Sequence, residues 1–144
     1  MEALQVWAML FAVCVIPGQG NVLQLRKMIR LTTGKNPITQ YGFYGCHCGI
    51  GGKGQPKDAT DWCCQIHDCC YAGLTSHRCW TTWDRYRYSH TFGVIRCGPG
   101  SWCEKNLCEC DKALALCLQR NLHTYQPKLR FYWSLSCKGR TMNC

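Results

Sequence analysis

The chain has 144 residues, 15 cysteines and 17 Lys and Arg against 8 Asp and Glu, a formal net charge of +9. That length leaves room for one domain. The positive balance favours anionic partners, either phospholipid headgroups, sulfated polysaccharide or nucleic acid, but the basic residues are scattered and no nucleic-acid-binding motif can be identified.

Leu4 to Ile16 is an apolar run too short to span a bilayer, followed by Pro17-Gly18-Gln19-Gly20 with small residues where a signal peptidase cuts. The sequence therefore predicts a secretory signal over residues 1–20 and a mature domain over 21–144, although Glu2 is the only charge ahead of the run. Removing the leader takes away Glu2 and Cys14. What remains is 17 basic against 7 acidic residues, a net +10, and 14 cysteines, an even number that implies seven disulfides in an oxidising compartment. Zinc binding is the competing use of so many cysteines, but zinc sites need spaced pairs, not adjacent cysteines strewn along the chain. A core this small needs such staples. No Asn-x-Ser/Thr site is present, since Asn36 is followed by Pro37.

Val22 to Thr33 reads as an amphipathic helix. Val22, Leu25, Met28 and Ile29 recur at three- and four-residue steps, and Arg26, Lys27 and Arg30 occupy the other side. Gly34 and Pro37 end it. Such a stripe packs against a core, lines a channel or lies on a membrane surface.

Tyr41 to Gly54 holds six glycines in fourteen residues, which excludes a stable helix or strand. A loop of that kind can turn several carbonyls towards one hard cation such as Ca²⁺.

Asp58 or Thr60 is a plausible N-cap for the next helix, which is expected to run to about Tyr71 and end near Gly73. Its segment Asp61 to Tyr71 carries four cysteines, and Cys63, His67 and Cys70 fall on one face with Asp68 on the neighbouring strip. Cys79 to Cys97 is rich in β-formers (Trp80, Trp83, Tyr86, Tyr88, Phe92, Val94, Ile95), with turn chemistry over Ser89 to Gly93, and reads as a small hairpin. Glu104 to about Leu122 is the longest helix, its apolar face marked by Leu107, Leu114, Leu118 and Leu122. The tail from Tyr125 to Cys144 sets Lys128, Arg130, Lys138 and Arg140 around Phe131-Tyr132-Trp133. The fold class is mainly α and disulfide-rich, without internal repeats.

Cys63 and Cys70 are seven residues apart, and so are Cys110 and Cys117. Antiparallel helices joined 63 to 117 and 70 to 110 share one register, in which Asp111 lies within about a turn of His67. Fourteen cysteines allow many other pairings. A His oriented by an Asp is a general base, and with no Ser singled out nearby it would activate a water. Asp68 would hold a cation able to bind a phosphate and polarise a carbonyl.

The run Cys63-Cys64-Gln65-Ile66-His67-Asp68-Cys69-Cys70-Tyr71 resembles the active-site helix signature of secreted phospholipases A2. Tyr44 to Gly52 resembles their calcium loop, and Leu107 to Ala113 their second signature. The resemblance covers the whole mature chain. Cys69 with a terminal Cys144 resembles the group II branch; Phe131-Tyr132-Trp133 leans towards its IID subtype, while Ile29 to Lys35 and Tyr41 to Gly49 also resemble IIA.

The resemblance implies His67 as base and Asp111 as its partner, with Tyr71 and Tyr86 bonded to Asp111, Tyr88 being the near neighbour that competes for the Tyr86 alignment. It implies Ca²⁺ on the carbonyls of His47, Gly49 and Gly51 and on Asp68, with the Gly49 amide serving the oxyanion. It implies the pairings Cys46–Cys137, Cys48–Cys64, Cys63–Cys117, Cys69–Cys144, Cys70–Cys110, Cys79–Cys103 and Cys97–Cys108. A substrate channel would be lined by Val22, Leu25 and Ile29. The activity implied is calcium-dependent sn-2 hydrolysis of glycerophospholipids by a secreted monomer on anionic membranes, with heparan sulfate proteoglycans and a cell-surface receptor as further partners. The reading from another class is a non-catalytic cationic ligand; intact His67, Asp68 and Asp111 favour the enzyme.

Overall fold

A computed structural model describes residues 20–144, so the expected leader, Gly20 apart, lies outside the described residues. Helix α1 spans Gly20–Thr33. Met28 and Ile29 are buried in the core while Leu23, Arg30 and Leu31 stay exposed, as the spacing of the apolar stripe requires. Helix α2, Pro37–Tyr41, was not expected. Asn36, whose side chain accepts from the amides of Ile38 and Thr39, caps it, and Pro37 opens it at the position where a missing N–H costs nothing.

Helix α3 covers Ala59–Ser76, with Asp58 as its N-cap accepting from the Asp61 amide. It runs past Gly73, where it was expected to stop. Gly73 is exposed and its helical position costs about 1 kcal/mol, which burial of Leu74 in the following turn offsets. The chain leaves α3 through Arg78, held in the left-handed region at φ 66°.

The hairpin is shorter than the β-rich run suggested. Strand β1 is Tyr88–Thr91, β2 is Val94–Cys97, and they pair antiparallel with His90 opposite Ile95. Phe92 and Gly93 both take positive φ (51° and 75°), as a two-residue hairpin turn demands. Ser89 therefore belongs to a strand, while ahead of that strand Trp83 lies in a turn and Trp80 and Tyr86 lie in irregular backbone.

Helix α4, Trp102–Arg120, starts two residues before the expected Glu104 because Ser101 and Glu104 form a capping box. It packs on both α1 and α3. Cys63–Cys117 and Cys70–Cys110 join α3 to α4 with Cα separations of 5.8 and 5.9 Å, so the two helices run antiparallel in the register read from the repeated spacing. Cys97–Cys108 ties β2 to α4, and Cys79–Cys103 ties the segment after α3 to the start of α4. Cys48–Cys64, Cys46–Cys137 and Cys69–Cys144 fasten the glycine loop and the tail. Beyond α4 the chain makes three short 3₁₀ turns, and Phe131 forms a β-bridge with Phe43.

Candidate functional site

The stapled register brings His67 Nε2 to 2.7 Å from Asp111 Oδ1. Asp111 is fully buried, and a carboxylate so placed needs donors around it. It has three: His67, the Tyr71 hydroxyl at 2.6 Å on Oδ1, and the Tyr86 hydroxyl at 2.6 Å on Oδ2. Burial first, then the adjacent Asp111 charge, pushes both phenols well above the usual tyrosine range, so they remain donors. With Asp111 accepting, the Nε2 proton is fixed on the carboxylate side, and Nδ1 keeps a free lone pair.

Tyr86, rather than Tyr88, is the residue that reaches Asp111, and α1 holds it there. Gln24 Nε2 donates to the Tyr86 carbonyl at 2.5 Å and Gln24 Oε1 accepts from the Tyr86 amide at 3.1 Å. In the sequence Gln24 gives only a weak signal, a polar residue beside the apolar stripe. Tyr88 stands beside Tyr86 with ring centroids 5.9 Å apart.

Above this network opens a cavity of about 420 Å³ lined by Val22, Leu25 and Ile29 of α1, by Leu114 and Leu118 of α4, and by Ile38, Tyr41 and Phe43. His67, Asp68, Tyr71, His47 and Gly49 form its polar part. The three channel residues expected on α1 therefore share one cavity with the expected base and carboxylate. Asp111 and Tyr86 lie behind it, and Gly51 is on the exposed part of the loop.

The glycine loop is arranged by Asp61, which in the sequence is only the first residue of the cysteine-rich helical segment. Asp61, fully buried in the first turn of α3, accepts from the amides of Cys46 (2.7 Å), His47 (2.7 Å) and Lys57 (2.9 Å). Two of its backbone partners, Cys46 and His47, lie in a loop 15 and 14 residues earlier, so no side-chain pattern betrays them. At Gly49, φ is 90° and a Cβ would collide with the Gly42 carbonyl. At Gly52, φ is 144° and a Cβ would stand 2.9 Å from His47 Nδ1 and 3.3 Å from Asp68 Oδ2. The space beside Asp68 thus exists because residue 52 has no side chain.

Partial burial pushes the Asp68 carboxyl up to about 6, against the smaller opposing pull of His67 and His47. Among the described residues no cluster of three or more His, Cys, Asp or Glu side chains could hold a metal. A cation beside Asp68 would rest on that carboxylate and on backbone carbonyls, a hard oxygen set that suits calcium. The cradle and the partly desolvated carboxylate both fit such an ion.

The family model described as phospholipase A2 matches residues 22–130. The chain is 59% identical over 131 residues to the group IID secretory phospholipase A2 of Homo sapiens, covering 90% of each chain. It is 46% identical to the membrane-associated phospholipase A2 of Bos taurus over 144 residues, the whole of both chains. To the basic phospholipase A2 vurtoxin of Vipera renardi it is 50% identical over 133 residues, 92% of this chain and 95% of that one.

Proposed function

We propose, from the premise that this chain belongs to the phospholipase A2 family, that it hydrolyses the sn-2 acyl ester of glycerophospholipids at membrane surfaces, releasing a free fatty acid and a lysophospholipid. The observation that carries the reading is His67, fixed by Asp111 and facing, with Asp68, into an apolar cavity.

An acyl chain drawn out of a bilayer into water would lose about 0.8 kcal/mol per CH₂; Val22, Leu25 and Ile29 offer an apolar channel ending at His67 that avoids this cost. His67 Nδ1 takes a proton from a water, which attacks the ester carbonyl; Asp111 steadies the imidazolium that forms, and Tyr71 and Tyr86 steady Asp111. The proton then passes to the leaving glycerol oxygen. The Gly49 amide is the proposed donor to the oxyanion. Asp68 and the carbonyls of His47, Gly49 and Gly51 would hold Ca²⁺, which when bound supplies charge for the substrate phosphate and the developing oxyanion.

The net positive charge and the exposed Ile38, Phe43 and Ile50 around the cavity support action by a secreted protein on anionic bilayers. Heparan sulfate and receptor binding rest on the charge and the family resemblance alone. No described helix is long and apolar enough to cross a membrane. The test is fatty-acid release from phosphatidylglycerol vesicles with calcium or with chelator. Release that needs calcium is expected, and equal release in both would sink the metal mechanism.

A further inference from the structure

The last residues, 138–144, are exposed throughout and form no helix or strand, so core packing does not account for their position. They are held instead at both ends by disulfides. Cys46–Cys137 fastens the start of the tail next to His47, and Cys69–Cys144 fastens its end next to Asp68. The tail therefore bridges the two halves of the proposed calcium site, the loop and the helix that carries the carboxylate.

Between the staples it grips the exit of the loop. Thr141 Oγ1 accepts from the Gly54 amide at 2.8 Å, and the Lys138 carbonyl accepts from the Gln55 amide at 3.1 Å. The Gln55 side chain donates to the Arg140 carbonyl. Packing here is tight, since a Cβ on Gly54 would lie 2.7 Å from the Lys138 carbonyl oxygen. From the inner side, His47 Nε2 meets the Gly54 carbonyl at 3.0 Å. Gly54 is buried, so its amide has Thr141 in place of water.

We propose that this tail is a clamp that sets the calcium affinity of the site, with Thr141 as its positioning residue; the inference rests on the calcium reading above. A segment of six glycines loses much conformational entropy when fixed. Where the tail has already fixed the loop exit, the ion binds a preorganised set of carbonyls; where the grip is lost, ion binding must order the loop and affinity falls. Thr141 touches neither substrate nor ion, and its effect passes through Gly54.

The test compares the intact disulfide-bonded protein with Thr141→Val, which keeps the shape but loses the acceptor, Thr141→Ser, which keeps it, and Asp68→Asn. Calcium is titrated calorimetrically, vesicle hydrolysis is followed against calcium concentration, and thermal unfolding is measured in chelator. Thr141→Val is expected to raise the calcium Kd about 5- to 10-fold, the scale of one lost hydrogen bond. Thr141→Ser stays near the unsubstituted value. Hydrolysis by Thr141→Val should recover at saturating calcium, and its calcium-free unfolding temperature should fall by no more than one unpaired buried donor accounts for. An unchanged Kd in Thr141→Val, or a loss that saturating calcium does not restore, overturns the clamp. If the unsubstituted protein binds calcium and Asp68→Asn does not, those outcomes sink the clamp alone; if neither binds calcium, the calcium reading fails and the clamp with it.

Discussion

The carboxylate of Asp61 and the backbone of Gly45 are packed so closely that a Cβ on Gly45 would lie 2.5 Å from Asp61 Oδ2. Gly45 takes φ 60°, and this close approach lets one buried carboxylate collect the amides of Cys46, His47 and Lys57. The first turn of α3 thereby organises the loop that the same helix faces with Asp68.

Asp61→Asn should therefore be costly although it is nearly isosteric. The amide retains one acceptor oxygen and turns its NH₂ towards backbone donors. The retained oxygen can keep Cys46 and Lys57, which share Oδ2, so the His47 amide at least loses its acceptor. Leaving a buried donor unpaired costs about 1–3 kcal/mol, and a loss of that size is expected. Thermal unfolding of the disulfide-intact protein reads it directly; an unfolding temperature like that of the unsubstituted protein would show that the three bonds contribute little.

Tyr71 and Tyr86 bond to different oxygens of Asp111. Replacing either by Phe removes a hydrogen bond to a charged group and should cost about 1.5–3 kcal/mol in urea unfolding. The double replacement leaves the buried carboxylate with His67 alone, so its cost should exceed the sum of the two single ones. Additive costs would mean that the phenols act independently.

His67→Gln keeps a hydrogen-bonding side chain of similar reach but removes the proposed base. Turnover should fall at least about 100-fold, the lower end of what positioned acid–base groups contribute, while binding to anionic vesicles, measured by co-sedimentation, stays unchanged. Retained turnover would refute the role of His67.

Much of this arrangement is legible in the sequence, because paired spacings act at short range. The seven-residue intervals 63–70 and 110–117 set the α3–α4 register and with it the approach of His67 to Asp111. Gly73 misleads, since a glycine signals a helix end only where nothing beyond it is buried, and Leu74 is. Asn36-Pro37 carries a helix-start signal that is easily read as a stop alone. Ser89 looks more turn-like than Phe92, yet the strand pairing puts the turn at Phe92-Gly93. Asp61, Gln24 and Thr141 stay hidden for one shared reason: each bonds backbone groups far along the chain, and backbone partners leave no trace in residue identity.

Asp68 gives the pH dependence. Its carboxyl is pushed up to about 6 from an ordinary 3.8, so the fold holds the proton more tightly than the unfolded chain does. In chelator, stability linked to this group is greatest in acid, falls as pH rises from about 4 to about 6, and stays low above that. Asp68→Asn removes the burden. The calcium-free variant should gain about 1–2 kcal/mol at pH 7.5, less than the full shift implies because the carboxylate is partly open to solvent. At pH 4 the two proteins should unfold at similar temperatures. At the proposed site calcium would reverse the preference, since it would bind the ionised form and displace the proton below pH 6. Its affinity for the unsubstituted protein should then drop towards tenfold per pH unit below that point, and calorimetric titration at pH 5 and pH 7.5 measures it. Equal affinity at both would mean that the ion does not rest on Asp68. A carboxylate that destabilises the calcium-free fold and would stabilise the loaded one behaves as the proposed site requires of a ligand held ready.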